Sequence, residues 1–136
     1  MPLIVDASVA VKWIVEEPLR DEALDLVRQN DVVVPDLLPA EVRNALVNRV
    51  RRKLSTIEEA RTAAAAFRAI PLIVERSSDQ LERAFDLALA FEHPIYDCIY
   101  LALAMARDLK LCTADLRMFD LTKRIPELQG RVTLLA

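Results

Sequence analysis

The sequence predicts an α/β fold in which a parallel sheet of four to five strands is flanked by helices on both faces. Short apolar runs alternate along the chain with longer segments of helical periodicity. These runs are apolar throughout rather than alternating with polar residues, which is typical of strands buried on both faces. A length of 136 residues allows one hydrophobic core and not two, so residues 1–136 are expected to form a single domain.

The N-terminal part of the chain begins with a strand followed by two helices. Leu3–Val5 is the first strand, and a buried helix over Val9–Val15 ends before Pro18. The segment Leu19–Asn30 predicts the second helix, because its apolar residues share one face and its acidic residues precede Arg28, as the helix dipole favours.

The next predicted elements are a buried strand and two consecutive helices. Val32–Val34 is the strand, and Pro39 suits the first turn of a helix that runs to about Lys53. An alanine-rich helix then reaches about Ala69. Its start carries two overlapping capping boxes, formed by Ser55 with Glu58 and by Thr56 with Glu59.

The remaining elements continue the alternation of strands and helices. Three further strands are predicted at 72–74, 111–113 and 132–134, and two further helices at 78–91 and 97–108. The chain contains no repeat, linker or low-complexity segment, which agrees with a single domain.

The rare residue types exclude several kinds of functional site. Gly130 is the single glycine, so neither a dinucleotide-binding fingerprint nor a phosphate-binding Walker loop is possible. His93 is the single histidine, and with Cys98 and Cys112 it cannot complete a four-ligand zinc site. The two cysteines are expected to be reduced core residues. Any chemistry must therefore depend mainly on the 21 acidic residues.

The predicted compartment is the cytoplasm. The N-terminus lacks the basic and apolar regions of a signal peptide, and no uncharged run approaches the roughly 18 residues of a membrane span. A formal net charge of −3 argues against a broad basic face for nucleic acid and leaves room for a local one.

Four acidic residues are expected at one edge of the sheet, where the carboxyl ends of parallel strands bind ligands. Asp6 follows the first strand directly, and Asp115 follows the strand 111–113 after one residue. Glu41 lies in the first turn of a helix, and Asp97 is expected to open one. Each also has a purely structural interpretation, as a helix cap, a first-turn acid or a turn residue.

A group of carboxylates at one edge favours a cation, because neighbouring carboxylates raise one another's pKa unless positive charge intervenes. Ligation by oxygen alone points to Mg2+, with Mn2+ as an alternative. The chemistry typical of such a site is hydrolysis at phosphorus by a metal-activated water.

A basic segment follows Glu41 and is a candidate RNA-binding surface. Between Val42 and Ile57 the chain has five basic residues and no acid, and Lys12 of the first helix could join them. The alternative is a solvated helix face. The candidate RNA-binding residues are Lys12, Arg43, Arg49, Arg51, Arg52 and Lys53.

Four motifs together resemble those of the PIN-domain nucleases, in particular the VapC-type toxins of toxin–antitoxin pairs. The resemblance covers essentially the whole chain, with the motifs in the family's order. They are Ile4–Val9, Val34–Leu46, Tyr96–Ala104 and Leu111–Asp115. Many members have a glycine before the fourth motif's strand, where this chain has Asp108-Leu109-Lys110, a change that leaves every expected ligand in place.

The resemblance implies the composition of the active site and the kind of activity. Asp6, Glu41, Asp97 and Asp115 would form the catalytic, metal-binding cluster. Ser8, Asn44 and Thr113 match polar positions that support the ligands. The implied activity is Mg2+-dependent endonucleolytic cleavage of single-stranded or looped RNA, such as tRNA, rRNA or mRNA. The implied partners are a VapB-like antitoxin and a second copy of the chain in a homodimer.

Several alternatives remain beside the toxin hypothesis. A PIN-fold nuclease could process RNA without an antitoxin, or the fold could serve as a catalytically silent binding module. An aspartyl-phosphate phosphatase is disfavoured, because Ser8 stands where that class needs its second acid. A phosphoacceptor receiver domain would need an acidic pair after the first strand, which Asp6 alone does not supply.

Overall fold

A computed structural model describes residues 1–136 as a five-stranded parallel sheet with helices packed around it. The strand order is β3-β2-β1-β4-β5. The strands are β1 (Pro2–Val5), β2 (Asp31–Pro35), β3 (Ile73–Glu75), β4 (Lys110–Thr113) and β5 (Val132–Leu134). The predicted α/β class and parallel sheet are confirmed, and all five predicted strands are present.

The chain winds outward from β1 in both directions, so the strand order reverses between β1 and β4. Because parallel crossovers are right-handed, the two halves of such a sheet place their helices on opposite faces. The reversal opens a crevice at the carboxyl ends of β1 and β4, which is where sheets of this kind bind ligands.

Seven α-helices connect or follow the strands. They are α1 (Ala7–Ala10), α2 (Arg20–Gln29), α3 (Leu38–Arg51), α4 (Ile57–Arg68), α5 (Leu81–Phe91), α6 (Ile95–Arg107) and α7 (Leu116–Thr122). Three single 3-10 turns extend them, at Val11–Trp13, Ser77–Gln80 and Pro126–Leu128. No helix combines the length and apolar character needed to span a bilayer.

The core lies around the central strands, as their apolar sequences predict. A cluster of 28 buried residues includes Ile4, Val33 and Leu111, which sit at matching positions of β1, β2 and β4. Cys98 and Cys112 are buried free thiols, as expected. Burial raises the pKa of Cys98 to about 11 and also raises that of Cys112, so both thiols are neutral and poor nucleophiles near neutral pH.

Three local predictions need correction. Helix α6 begins at Ile95, so Asp97 lies inside its first turn and does not open it. Of the two overlapping capping boxes at the start of α4, only that of Thr56 with Glu59 forms. The hydroxyl of Ser55 instead accepts a hydrogen bond from Arg49 Nε, at 3.2 Å. The predicted helix 78–91 divides into a 3-10 turn and α5.

Asp108 is the first residue of the segment 108–110, in which the resemblance leads us to expect a glycine. It ends α6 with a φ of 53°, the left-handed conformation that glycine adopts at helix ends without strain. The hydrogen bond from Leu109 N to Ala104 O still closes the helix, at 3.1 Å. The turn into β4 is therefore retained, and with it the position of the fourth motif.

Candidate active site

Asp6 lies at the crevice between β1 and β4, where the strand order reverses. The register pairs Val5 with Cys112, so the next residues along the two strands, Asp6 and Thr113, are neighbours. Thr113 Oγ1 donates to Asp6 Oδ2 at 2.5 Å, and Ser8 Oγ donates to Asp6 Oδ1 at 2.5 Å. The side chain of Asp6 also caps α1, accepting from the amide of Val9. These three contacts hold the carboxylate in one orientation.

Burial sets the protonation of Asp6. The residue is 5% exposed, and loss of hydration raises the pKa of its carboxyl to about 6 despite the hydrogen bonds from Ser8 and Thr113. The negative charge of Asp97 raises this pKa further. A buried carboxylate with no cationic neighbour is costly, which favours a cation-binding role over a purely structural one.

Glu41 reaches the same region from the first turn of α3. Tyr100, buried in the middle of α6, donates from its hydroxyl to Glu41 Oε1 at 2.5 Å. Partial burial raises the pKa of Glu41 to about 7, and the charges of Asp97 and Asp6 add to the effect. The contact with Tyr100 leaves Glu41 Oε2 available to another group.

Asp97 projects from the first turn of α6 and is partly exposed. His93, in the loop before α6, brings its Nε2 atom to 2.6 Å from Asp97 Oδ2. The His93 side chain is only 11% exposed, so the imidazole is packed beside the carboxylate rather than free in solvent. An N–H at Nε2 would donate to the ionised carboxylate and orient it.

The structure brings Asp6, Glu41 and Asp97 close enough for the charge of Asp97 to contribute to the raised pKa of both Asp6 and Glu41. In this arrangement the three carboxylates are directed towards different hydrogen-bond donors. No three histidine, cysteine, aspartate or glutamate side chains converge in the geometry that holds a metal ion. For the three carboxylates to bind one metal ion, the side chain of Glu41 or Asp97 would have to rotate away from its donor.

The donor set nevertheless fits an oxygen-preferring divalent cation. It consists of carboxylates at one edge of the sheet, and two of them have pKa values raised by burial and by like charge. Such a site lacks the positive charge that would stabilise ionised carboxylates. Mg2+ and Mn2+ bind this kind of oxygen ligand, whereas the buried neutral thiols of Cys98 and Cys112 do not contribute.

Asp115, the fourth predicted acid, serves as a helix cap. Its side chain caps α7, accepting from the amide of Arg117 at 2.9 Å and from that of Met118 at 3.5 Å. Asp115 N donates to Thr113 Oγ1 at 3.0 Å, which links it to the hydroxyl that holds Asp6. Its role as a ligand stays a prediction, and the geometry seen here is that of a helix cap.

The three predicted supporting residues differ in their contacts. Ser8 and Thr113 both bond Asp6, and Ser8 Oγ also accepts from Ala114 N at 2.9 Å, which joins β4 to α1. Asn44 is exposed on α3, one turn after Glu41, and no side-chain hydrogen bond joins it to the acids. Support of the ligands by Asn44 stays a prediction.

None of the predicted basic residues forms a hydrogen bond or salt bridge with the four acids; those that have partners contact other groups. Lys12 and Arg49 both contact Glu17, at 3.3 and 3.5 Å. The guanidinium of Arg43 lies over the ring of Phe67, 5.9 Å from its centroid. Exposed residues at the C-terminal end of α3 are separated from Glu41 by about 16 Å of helix. They are Arg51, Arg52 and Lys53. RNA binding by this segment stays a prediction.

Two residues of the site did not emerge from the sequence as site residues. His93 contacts Asp97, four residues later, and Tyr100 contacts Glu41, fifty-nine residues earlier. The spacing of four residues is a local signal that could have linked His93 to Asp97. No local signal links Tyr100 to Glu41, because that contact depends on how α3 and α6 pack.

Comparison with known proteins agrees with this fold. Residues 3–124 match the PIN domain family. The chain is 33% identical over 95 residues to Ribonuclease VapC1 of Mycobacterium tuberculosis, in each of two strains, covering 68% of this chain and 69% of that protein.

Solved structures share the fold at low sequence identity. The VapBC2 structure from Rickettsia felis, bound to a promoter DNA fragment, has a TM-score of 0.70 at 18% identity and full coverage of both chains. PAE2754 from Pyrobaculum aerophilum has a TM-score of 0.72 at 18% identity, covering 97% of this chain and 83% of the other. With a family match over most of its length, and the fold and acidic edge described above, the chain belongs to the PIN domain family.

Proposed function

We propose that this chain is a divalent-cation-dependent endoribonuclease and the toxin of a toxin–antitoxin pair. The observation that carries the proposal is the meeting of Asp6, Glu41 and Asp97 at the carboxyl edge of the sheet. Three separate elements supply them, and burial and like charge raise the pKa of two of them. Ribonuclease VapC1, to which the chain is 33% identical, supports RNA as the substrate.

The chain's own residues would prepare the site in three ways. Ser8 and Thr113 fix the Asp6 carboxylate at the base of the crevice. Tyr100 holds one oxygen of Glu41 and leaves Oε2 free to bind the cation. Asp97, partly exposed beside His93, forms the side of the site nearest to solvent.

Asp6, Glu41 and Asp97 would hold the cation, with Asp115 as a further candidate ligand, and Mg2+ or Mn2+ fits these oxygens. When bound, such an ion activates water and neutralises charge that develops at the phosphate. The acidic residues alone would repel an RNA strand. The cation therefore also makes the edge compatible with an anionic substrate.

A cleavage assay tests the proposed activity. Purified chain is incubated with a labelled single-stranded RNA and with a stem-loop RNA, in Mg2+ and in EDTA. Cleavage is expected in Mg2+ alone, and at least about a hundredfold less from Asp6→Asn and Asp97→Asn, because each loses a charged ligand. Asp36→Asn is a matched control, since Asp36 is exposed, accepts a hydrogen bond from Ser77 N and makes no contact with Asp6, Glu41 or Asp97.

Equal cleavage by the wild type and both site variants, or equal cleavage in Mg2+ and in EDTA, would contradict the proposal. Cleavage that depends on Mg2+ but survives both substitutions would show that another component of the preparation is the nuclease. The control variant should match the wild type under every condition.

The toxin role is supported by relatives that occur with antitoxins. The structures similar to this chain include VapBC2 of Rickettsia felis and a toxin–antitoxin complex of Klebsiella pneumoniae, the latter at a TM-score of 0.64 and 17% identity. VapC20 of Mycobacterium tuberculosis, a toxin that cleaves the sarcin–ricin loop, has a TM-score of 0.64 at 17% identity. We infer a VapB-like antitoxin as partner.

An RNA-processing nuclease without an antitoxin is the competing function for the same site. A small reading frame immediately upstream, whose product copurifies with the chain and inhibits cleavage, is expected for a toxin. Absence of both the reading frame and the inhibitor would remove the toxin role and leave the nuclease.

We further infer one PIN domain over residues 1–136, acting in the cytoplasm as a homodimer. The homodimer is supported by exposed apolar side chains at helical spacing on α5, at Leu81, Phe85 and Leu89, which are 43%, 52% and 63% exposed. Such a stripe marks a surface for protein contact.

A further inference from the structure

A polar pocket lies beside the acidic edge, between the α5–α6 junction and α7. Its volume is about 350 Å³. Glu92 and His93 line it from the junction, and Arg117 and Arg124 line it from α7 and the turn after it. None of these residues belongs to the basic segment that the sequence suggested for RNA binding.

Two contacts connect this pocket directly to the predicted acids. His93, part of its wall, brings Nε2 to 2.6 Å from Asp97 Oδ2. Arg117, on the opposite wall, donates its backbone amide to Asp115 Oδ1 at 2.9 Å. The pocket and the acidic edge are therefore adjacent, and a strand lying across one can reach the other.

The two arginines of the pocket form no salt bridge, although Glu92 and Asp120 also line it. Neither Arg117 nor Arg124 has a carboxylate within salt-bridge distance, whereas Asp120 of the same pocket is paired with Lys123 at 3.3 Å. Arg117 lies in α7 and Arg124 in the turn that follows it, and both side chains line the pocket. Arg124 is also held over the ring of Phe91, 5.4 Å from its centroid.

We propose that this pocket binds a backbone phosphate of the RNA strand next to the phosphate that is cleaved, and the proposal rests on the proposed function. Arginine suits this role because its planar guanidinium forms paired hydrogen bonds with phosphate oxygens. The stacking of Arg124 on Phe91 fixes one guanidinium before the strand arrives, which lowers the entropy lost on binding.

Binding without cleavage tests the pocket separately from the activity. The dissociation constant for a fluorescent single-stranded RNA of about 12 nucleotides is measured in EDTA at several salt concentrations. The double variant Arg117→Ala/Arg124→Ala is compared with Arg61→Ala/Arg68→Ala, which removes the same charge from exposed positions of α4. Melting temperatures confirm that both variants fold.

The pocket variant is expected to bind RNA at least about tenfold more weakly, with the slope of log K against log salt reduced by about 0.7 for each lost phosphate contact. The control is expected to remain within about twofold of the wild type. In Mg2+ the pocket variant should raise KM and leave kcat nearly unchanged, because it loses binding common to ground and transition states.

Equal weakening by both double variants would show general charge attraction and overturn the proposal, as would unchanged affinity in the pocket variant. A wild type without measurable affinity in EDTA would overturn it as well. If the wild type binds RNA and does not cleave it in Mg2+, the proposed function fails, while the binding comparison still decides the role of the pocket.

Discussion

At the scale of single residues, the site depends on carboxyl groups placed where their ionised forms are energetically unfavourable. Asp6 is almost fully buried beside other acids, and only hydroxyl and amide groups contact it. The folded chain therefore stabilises the protonated form, and the pKa of Asp6 rises from 3.8 to about 6. That of Glu41 rises from 4.5 to about 7.

These shifts predict the pH dependence of stability without divalent cations. Between about pH 4 and pH 7 the folded chain holds more protons than the unfolded chain, so the free energy of unfolding falls as pH rises. In EDTA the chain should melt at a higher temperature at pH 5 than at pH 8. Asp6→Asn should reduce this difference and raise the free energy of unfolding at pH 8 by about 1–2 kcal/mol.

Asp36 is a control for which the expected pH dependence of stability has the opposite sign. A hydrogen bond from Ser77 lowers its pKa, so the ionised Asp36 stabilises the folded state above its ordinary pKa, and that contribution is lost as pH falls. Asp36→Asn should slightly lower the melting temperature at pH 8. A lower melting temperature for Asp6→Asn at pH 8 would contradict the account of Asp6.

His93 is expected to act through Asp97 as a positioning residue. His93→Gln places an amide nitrogen near the Nε2 position and should keep Mn2+ affinity within about threefold of the wild type. His93→Asn is too short to reach Asp97 and should lower that affinity about tenfold. The affinities are measured by titration calorimetry. Equal losses in the two variants would show that the imidazole only fills space.

At the scale of elements, the sequence was informative where local chemistry decides and uninformative where packing decides. The apolar runs located the five strands because buried parallel strands need continuous apolar sequence. Helix α7 was not predicted, since it has only seven residues and its cap is Asp115, which the sequence suggested as a ligand. Asp97 was expected to open α6, yet the helix begins at Ile95, after Pro94.

The start of α4 offers a direct test of local capping. Thr56 Oγ1 accepts from Glu59 N at 3.1 Å, and Glu59 Oε1 accepts from Thr56 N at 2.9 Å. Thr56→Ala should lower the free energy of unfolding by about 1 kcal/mol. Ser55→Ala should lower it by less, because Ser55 is not part of the Thr56–Glu59 capping box. Urea denaturation measures both. A larger loss from Ser55→Ala would show that the other capping box operates in solution.

At the scale of the whole molecule, the reversal of strand order explains why the site lies where it does. Winding outward from β1 in two directions leaves Asp6 and Thr113 side by side at the crevice between β1 and β4. The sequence predicted that Asp6, Glu41, Asp97 and Asp115 would share an edge, because each stands near the end of a strand or the start of a helix. It did not predict the contacts of Tyr100 and His93, which depend on helix packing.

The proposed homodimer is tested by sedimentation velocity. Phe85→Glu places a charge in the middle of the exposed apolar stripe on α5 and should shift the chain from dimer to monomer. Val47→Glu, which alters an exposed apolar residue of α3, is the control and should leave the dimer intact. A wild type that sediments as a monomer, or a dimer that Phe85→Glu leaves unchanged, would contradict this use of α5.

Mn2+ titration calorimetry at about pH 7.5, above the raised pKa values of Asp6 and Glu41, tests whether Asp6, Glu41 and Asp97 form one divalent-cation site. The wild type should bind Mn2+, and Asp6→Asn, Glu41→Gln and Asp97→Asn should each weaken binding about tenfold or more, with Asp36→Asn unchanged. Mn2+ affinity that is the same in the wild type and all three site variants would contradict the claim.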